Sequence, residues 1–284
     1  MKPAPFDYLR PESLEEALEE LSAAGEDAKV LAGGQSLVPV LNMRLLRPTT
    51  VVDLGRVPGL DRIESRNGIV GVGALVTQRT LEESPVARER LPLVAEALPH
   101  VGHFVTRNRG TIGGSIAHAD AAAELPLCLT VLGGSVAVVG NGGWRDIPAA
   151  EFFVTHFTTT LAPGELVTET RWPAPEGPWG FAFEEFAQRR GDFALSAAAV
   201  ALRVEDGRVA EARVGLASVT DRPTLIETEL AGHALDATRA REAADFAAAS
   251  IEVWDGLHAS ASYLRQLTRV CVERALLRAW ENAA

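Results

Sequence analysis

Two glycine pairs, each followed closely by a serine, are the residues in this sequence best suited to bind an anion. Gly33-Gly34 precedes Ser36, Gly113-Gly114 precedes Ser115, and each pair follows a short apolar run. Backbone N–H groups without a neighbouring Cβ atom can approach a phosphate directly, and those at the start of a helix are unpaired donors. Either pair alone could be an ordinary turn, because glycine pairs are common between elements. Together they favour a diphosphate site.

The nucleotide-binding loops of Rossmann and P-loop proteins do not occur in the sequence. No G-x-G-x-x-G follows the first predicted strand, and there is no G-x-x-x-x-G-K-[ST]. A cofactor with a diphosphate would therefore need a different fold.

The cysteine and histidine content argues against a metal site in this chain. Cys128 and Cys271 are too few for a disulfide framework, a structural zinc site or an iron–sulfur cluster with four thiolate ligands. His100 and His103 could face one side of a helix, but no further cluster of ligands accompanies them. We therefore expect any redox metal to lie on another chain.

Composition and charge indicate an ordered protein that does not collect phosphates by net charge. The 284 residues are 47% hydrophobic and 23% charged, which is typical of a globular chain of about two domains. The net charge of −11 disfavours nucleic acid and anionic membranes as partners. The N-terminal segment lacks the apolar core of a secretory signal and no run of 18 apolar residues occurs, so we expect a cytoplasmic location without membrane insertion.

The elements that must position the glycine pairs alternate between helix and strand. A capping box from Ser13 to Glu16 predicts a helix that ends at Gly25. Around the first pair we predict a strand at 29–32, a short helix from Ser36 and a strand at 50–54. The following predictions are a strand at 69–74, a helical stretch at 85–98, and a hairpin of strands 135–139 and 142–147 that turns at Gly140-Asn141.

A segment rich in proline and glycine, Pro173 to Pro178, marks the main predicted domain boundary. Beyond it, the pattern changes to strands followed by helices. The predicted strands are 181–189, 197–204 and 209–220, and the predicted helices are 237–250 and 260–281. The last part of the chain is therefore expected to be about three strands packed by helices.

Three motifs extend the glycine pairs into a recognisable pattern. They are Ala32-Gly33-Gly34-Gln35-Ser36-Leu37, Thr111-Ile112-Gly113-Gly114-Ser115-Ile116-Ala117-His118-Ala119-Asp120 and Arg190-Gly191-Asp192-Phe193-Ala194. In type, order and spacing they resemble the FAD-binding medium subunits of molybdenum hydroxylases, and most closely the medium subunits of carbon monoxide dehydrogenases. The resemblance covers nearly the whole chain.

The resemblance implies an α+β fold in two parts. Residues 1–175 would be the FAD-binding domain, a two-subdomain fold of the vanillyl-alcohol oxidase (PCMH) type with subdomains at about 1–56 and 57–175. Residues 176–284 would be the smaller C-terminal domain of molybdenum hydroxylase flavoproteins. This boundary agrees with the one drawn from the segment rich in proline and glycine.

The resemblance also implies that the first two motifs hold the diphosphate of a noncovalently bound FAD. Glu124 stands where an acidic residue, usually Asp, holds the adenosine ribose in relatives, and we expect it to accept hydrogen bonds as a charged group. Ala121 replaces a proline that is common in this loop. The residues assigned to the diphosphate are Ala32, Gly33, Gly34, Gln35, Ser36, Leu37, Thr111, Gly113, Gly114 and Ser115.

Four residues are placed near the rings of FAD by the resemblance, and three of them have a plainer alternative. Phe193 aligns with a residue that lies against the isoalloxazine ring in relatives, with Asp192 beside it. The alternative for Phe193 is a core phenylalanine on a buried strand. Val101 and Val167 match apolar positions near the flavin and adenine, and a core valine is the alternative for each.

Lys29 and His118 complete the set of predicted cofactor contacts. Lys29 precedes the first motif and could reach the cofactor, or it could be solvated. His118 follows the second glycine pair, and we expect it to hydrogen-bond to the cofactor or to solvent rather than to tether the flavin or act in catalysis.

The implied function is that of an FAD-carrying electron-transfer subunit of a molybdenum hydroxylase, an oxidoreductase. A small partner subunit would hold [2Fe–2S] clusters and a large one molybdopterin, in a dimer of heterotrimers. Electrons would leave to NAD, a quinone or oxygen, and no residue of this chain would act as acid, base or nucleophile.

Two alternative functions stay open. One is a stand-alone FAD-dependent reductase with the same flavin fold, against which the motif at 190–194 argues. The other is a flavin-free assembly subunit, against which the intact glycine pairs argue.

Overall fold

The N-terminal part of the chain is a small parallel sheet with helices. The computed structural model describes residues 2–256 and 258–283. The first elements are β1 (Asp7–Leu9), α1 (Leu14–Ala24), β2 (Ala28–Leu31), α2 (Leu37–Asn42) and β3 (Thr50–Asp53). The strands pair in the order β1-β3-β2, so β3 is central. The start of α1 is confirmed, because the Ser13 hydroxyl accepts a hydrogen bond from the Glu16 N–H at 3.1 Å.

The middle part of the chain is an antiparallel sheet covered by short helices. Its main sheet has the strand order β4-β5-β10-β6-β7, and β8 pairs with β9. The strands are β4 (Ile63–Arg66), β5 (Ile69–Gly73), β6 (Ser135–Gly140), β7 (Gly143–Pro148), β8 (Phe153–Thr155), β9 (Thr158–Thr159) and β10 (Leu166–Pro173). The helices are α3 (Gln78–Glu83), α4 (Pro85–Arg90), α5 (Pro92–Ala97), α6 (Phe104–Arg107), α7 (Ile112–His118), α8 (Glu124–Val131) and α9 (Ala149–Phe152).

Three local predictions for this middle part need correction. The hairpin is present, but Gly140 pairs with Gly143, so it turns at Asn141-Gly142 and not at Gly140-Asn141. The helical stretch at 85–98 is divided into α4 and α5 at Leu91, whose φ of −130° and ψ of 58° are not helical. A residue before proline avoids the helical region, and Pro92 follows Leu91. Strand β10 was not predicted, although it lies between β5 and β6.

The C-terminal part is an antiparallel sheet with two helices. Its strands pair in the order β11-β12-β13-β14, which is one strand more than predicted because the short β14 adds an edge. The elements are β11 (Trp179–Ala187), β12 (Ala194–Glu205), β13 (Arg208–Ala217), β14 (Thr224–Ile226), α10 (Ala237–Ala249) and α11 (Ala261–Asn282). Within residues 2–256 and 258–283, no helix combines the length and apolar character needed to cross a membrane.

Strand β12 belongs to two hydrophobic cores at once. Successive side chains of a strand point to opposite faces. Ala197, Ala199 and Ala201 join the core built around α5 and α8, whereas Ala198 and Val200 join the core under α10 and α11. The C-terminal sheet is therefore packed between the helices of the middle part and its own two helices.

The close approach of α8 to this sheet depends on one glycine. A methyl group on Gly215 of β13 would overlap a methyl group of Val131 and would lie 2.8 Å from Cδ1 of Leu127. Leu127 and Val131 both belong to α8, whose eight residues are all buried. This packing holds the C-terminal sheet against the middle part of the chain.

Candidate functional site

The two glycine pairs lie side by side in the structure. A methyl group on Gly33 would overlap the carbonyl oxygen of Arg109 and would lie 2.9 Å from Cα of Gly110. A methyl group on Gly114 would lie 3.8 Å from Cβ of Ala32. The first motif therefore packs directly on the segment that leads into the second.

The first pair presents unused backbone donors to a cavity. Gly34 has a φ of +71°, which turns the chain between β2 and α2. The N–H groups of Gly33, Gly34, Gln35 and Ser36 donate to no acceptor among the described residues. Gly33, Gly34 and Gln35 border a cavity of about 350 Å3, whose other lining residues are Leu31, Ala32, Val38, Pro39, Asp53 and Arg109. This concave cluster of N–H groups suits an anion.

The N–H groups of the second pair are already hydrogen-bonded. Gly113 donates to the carbonyl of Ala74 at 3.0 Å, and Gly114 donates to the hydroxyl of Thr111 at 3.1 Å, which caps α7. A methyl group on Gly113 would lie 2.5 Å from Cβ of Ala74. The expectation that this pair offers free donors is therefore wrong. Its glycines allow close packing of α7, and a direct contact of Thr111, Gly113, Gly114 or Ser115 with FAD stays a prediction.

Arg109 and Asp53 line the cavity and were not identified from the sequence. Arg109 is exposed and forms no ion pair with a described acidic residue, so its charge is available to an anion. Asp53 already accepts hydrogen bonds from the Tyr8 hydroxyl and, at 2.9 Å, from the Gly55 N–H. The one available signal was the position of Arg109 two residues before the second motif.

The loop that carries Asp192 and Phe193 meets the turn after α5. Gly191 has a φ of +86°, and a methyl group there would lie 2.7 Å from the His103 ring and 3.0 Å from the carbonyl oxygen of Gly102. Phe193 is 69% exposed, so the alternative of a core phenylalanine is wrong. An exposed aromatic ring at this place is free to lie against a planar cofactor.

A second cavity borders the same loop. Its volume is about 280 Å3, and its lining residues are Pro99, His100, Glu185, Ala187, Arg189, Arg190 and Gly191. His100 Nδ1 lies 3.0 Å from Oε1 of Glu185. The hydrogen bond to the Glu185 carboxylate raises the pKa of His100. This contact links the middle part of the chain to β11.

The remaining apolar and basic candidates have ordinary surroundings. Val167 is a buried core residue of β10, which agrees with the alternative of a core valine. Val101 is partly buried and packs against the same core. Lys29 is half-buried in β2, where it pairs with Val51 of β3. Contacts of these three residues with FAD stay predictions.

His118 ends α7 and lies against an aromatic side chain. The centroid of its ring is 4.9 Å from that of Phe157. Burial lowers the pKa of His118, although the charge of Asp120 opposes the effect. His118 is therefore neutral at pH 7 and can donate one hydrogen bond and accept another.

Glu124 is the first residue of α8 and is only 7% exposed. Burial raises its pKa to about 8, aided by the charge of Glu185 and opposed by the hydrogen bond from its own backbone N–H. In the chain without FAD, burial therefore favours the protonated acid over the charged acceptor expected from the sequence. Glu124 lines neither cavity described above. Its role at the ribose stays a prediction.

The two histidines considered as metal ligands have different partners. His100 pairs with Glu185, whereas the His103 ring lies beside Gly191. Among residues 2–256 and 258–283, no group of three or more His, Cys, Asp or Glu side chains is placed to hold a metal ion.

Comparison with known protein families assigns both parts of the chain. Residues 4–175 match the family described as the FAD binding domain in molybdopterin dehydrogenase. Residues 181–279 match the family described as the CO dehydrogenase flavoprotein C-terminal domain.

Individual relatives match over essentially the full length. The chain is 41% identical to subunit alpha of the 6-hydroxypseudooxynicotine dehydrogenase complex of Paenarthrobacter nicotinovorans, with 100% of this chain and 97% of the relative covered. Quinoline 2-oxidoreductase of Pseudomonas putida 86 superimposes with a TM-score of 0.96 at 36% identity, over 100% of this chain and 99% of the other. Carbon monoxide dehydrogenase of Hydrogenophaga pseudoflava, in a form that lacks the Mo-pyranopterin moiety, superimposes with a TM-score of 0.97 at 35% identity, over 100% of both chains.

Proposed function

The chain belongs to the family of FAD-binding medium subunits of molybdenum hydroxylases, and from that premise we propose that it carries electrons from a partner's [2Fe–2S] clusters to an external acceptor. The resemblance seen in the three motifs and the α+β fold of an FAD-binding domain with a smaller C-terminal domain are confirmed. The relatives are dehydrogenase or oxidoreductase subunits. We place the boundary between the two domains at residues 175 and 176.

One observation carries the FAD site: the cavity where unpaired backbone N–H groups and a free cation meet. Gly33, Gly34 and Gln35, whose N–H groups have no acceptor among the described residues, line this cavity together with Arg109. A diphosphate is the part of FAD that such a site fits, because it carries two negative charges and many acceptor oxygens. The glycines are required there, since a side chain at Gly33 would overlap the neighbouring backbone.

The isoalloxazine ring of FAD is proposed to lie beside Val101, Asp192 and Phe193, where the resemblance places it. Phe193 is exposed, and its loop lies against the Gly102-His103 turn. Bound FAD supplies a group that can take up electrons one at a time and give them up in pairs. The residues of this chain bind it noncovalently and orient its ring.

Partner subunits are proposed to supply the remaining redox centres. Cys128 and Cys271 are both buried, and two cysteines are too few for an iron–sulfur cluster with four thiolate ligands. We propose a small iron–sulfur subunit and a large molybdopterin subunit, assembled as a dimer of heterotrimers. The cytoplasmic location stays a prediction.

The test combines the spectrum of the isolated chain with co-expression. The purified chain should show flavin absorption, release intact FAD on denaturation and oxidise no organic substrate by itself. Co-expression with iron–sulfur and molybdopterin subunits should yield one assembly with equal copies of each. A chain that is active on its own substrate without iron or molybdenum would support a stand-alone reductase, and a chain that assembles but never binds FAD would support an assembly subunit.

A further inference from the structure

Arg107 is a buried arginine whose three guanidinium nitrogens all donate hydrogen bonds. Only 7% of the residue is exposed. Its Nε and Nη2 donate to the two carboxylate oxygens of Glu82 at 2.9 and 3.1 Å. Its Nη1 donates to the carbonyl oxygens of Val101 at 3.0 Å and Gly102 at 3.2 Å. One side chain from α6 therefore ties the turn at 101–102 to α3.

The pair with Glu82 is an ion pair and not a hydrogen bond to a neutral acid. Burial by itself would raise the pKa of Glu82, but the hydrogen bonds and charges of Arg107 and Arg79 outweigh burial and hold that pKa below its ordinary value. A bidentate pair of this kind fixes the plane and direction of the guanidinium group. The direction of the two bonds to the carbonyl oxygens is thereby fixed as well.

The turn held by Arg107 is the surface on which the 189–193 loop rests. Gly191 touches it so closely that a methyl group would lie 3.0 Å from the carbonyl oxygen of Gly102, the same oxygen that Arg107 binds. Asp192 follows directly, with its N–H donating to the carbonyl of Arg189 at 3.1 Å, and Phe193 comes next. A displacement of the turn would therefore displace the loop.

We infer that Arg107 is a positioning residue for the flavin ring, because it fixes the turn that seats the loop carrying Asp192 and Phe193. This inference rests on the proposed function, which places these two residues beside the ring. Arg107 touches neither of them. It acts through the carbonyl oxygens of Val101 and Gly102 and through the contact of Gly102 with Gly191.

Arg79 offers a matched control on the same carboxylate. Its Nη1 lies 3.3 Å from Oε2 of Glu82, and it also pairs with Glu83. Its side chain is 41% exposed, and no hydrogen bond joins it to the turn at 101–102 among the described residues. Loss of Arg79 removes a charge beside Glu82 but leaves the turn in place.

The first experiment compares Arg107→Met and Arg79→Met in the full chain loaded with FAD. The readout is the visible circular dichroism of the bound flavin and its midpoint potential, which depend on the surroundings of the ring. Binding of ADP to the flavin-free chain is measured in parallel, because ADP occupies the diphosphate cavity but does not reach the ring. We expect Arg107→Met to change the flavin dichroism and potential while ADP binding is retained, and Arg79→Met to change neither. Arg107→Lys should behave like Arg107→Met, since an ammonium group cannot make both sets of bonds.

The second experiment approaches the same contact from the loop. Gly191→Ala should reproduce the change in flavin dichroism without touching the ion pair, and it provides the test if the Arg107 variants do not fold. Gly177→Ala is its control, because Gly177 also has a positive φ, +102°, but a methyl group there would meet no atom within 4 Å. The effects of Arg107→Met and Gly191→Ala should be non-additive, as expected for residues that act through one contact.

The outcomes separate this inference from the function on which it rests. Unchanged flavin dichroism in folded Arg107→Met, or in Gly191→Ala, would overturn the positioning role even if the melting temperature falls. A wild-type chain that takes up no FAD would instead overturn the proposed function, and the inference with it.

Discussion

The backbone at Gly33 lies directly against the carbonyl group of Arg109, with no room for a side chain between them. This contact joins the first glycine motif to the segment before the second one. It also places the unpaired N–H groups of Gly33, Gly34 and Gln35 in the cavity that Arg109 lines.

Gly33→Ala should therefore weaken FAD binding by roughly 5- to 150-fold. The added methyl group must push apart two backbone segments, and forced overpacking costs about 1–3 kcal/mol. Gly142→Ala is the control, because a methyl group there would meet no atom within 4 Å. Fluorescence titration of the flavin-free chain with FAD measures both, and equal affinities in the two variants would contradict the assignment of the cavity.

Arg109→Met should weaken FAD binding without destabilising the fold. Hydrogen bonds to charged groups contribute about 1.5–3 kcal/mol, which corresponds to roughly 10- to 150-fold in affinity. The difference from wild type should shrink as salt is added, since salt screens an exposed charge. Arg66→Met, on the exposed strand β4, serves as the control. An affinity that is equally sensitive to salt in wild type and Arg109→Met would argue against a diphosphate contact.

Phe193→Ala should change the flavin spectrum while leaving the stability of the chain almost unaltered. The side chain is 69% exposed, so its removal leaves no cavity. Phe183→Ala is the contrasting variant, because Phe183 is 1% exposed and its truncation should cost about 3–5 kcal/mol. Chemical denaturation and visible absorption distinguish the two. A large loss of stability in Phe193→Ala would show that this side chain is packed in the core, and it would contradict the flavin contact.

Glu124 predicts a pH dependence of stability for the flavin-free chain. Its pKa is raised from 4.5 to about 8 on folding, so the folded state binds more protons than the unfolded state between these values. The contribution of Glu124 is therefore fully present at low pH and is lost as the pH rises towards 8, with a slope of up to about 1.4 kcal/mol per pH unit. Glu124→Gln should remove this slope. Denaturation midpoints of both proteins from pH 5 to pH 8 provide the measurement, and parallel curves would refute the raised pKa.

The same residue also tests the ribose contact. Glu124→Gln keeps a neutral acceptor of similar size and should leave FAD affinity at pH 7 nearly unchanged. Glu124→Ala should weaken it by the contribution of a neutral hydrogen bond, about 0.5–1.5 kcal/mol. Unchanged affinity in the alanine variant would show that Glu124 makes no contact with the ribose.

Local features of the chain were predictable because their causes lie within a few residues. The Ser13 cap, the helix end at Gly25 and the hairpin of β6 and β7 all depend on neighbours in sequence. The glycine pairs belong to this class as well, since small residues between a strand and a helix are visible directly. The turn of the hairpin was misplaced by one residue because both Gly140 and Gly142 flank Asn141.

Features that depend on distant contacts were not predictable. The N–H of Gly113 is used by Ala74, which lies far earlier in the chain, so its availability could not be judged from the motif. Arg107 and Arg109 are close in sequence, yet one is buried on Glu82 and the other faces the cavity. Exposure of Phe193 likewise depends on where the loop after β11 rests, which only the packed sheet determines.

The contribution of β12 to two hydrophobic cores has a consequence for how the chain unfolds. Its alanines at 197, 199 and 201 close the core of the FAD-binding domain, while Ala198 and Val200 close the core beneath the C-terminal helices. Loss of this one strand from the sheet would expose buried side chains of both cores to solvent. The two domains share this strand, so neither core is complete without it. A fragment that ends at residue 175 would lack β12 and β13 and would expose to solvent the side of α8 that packs on them.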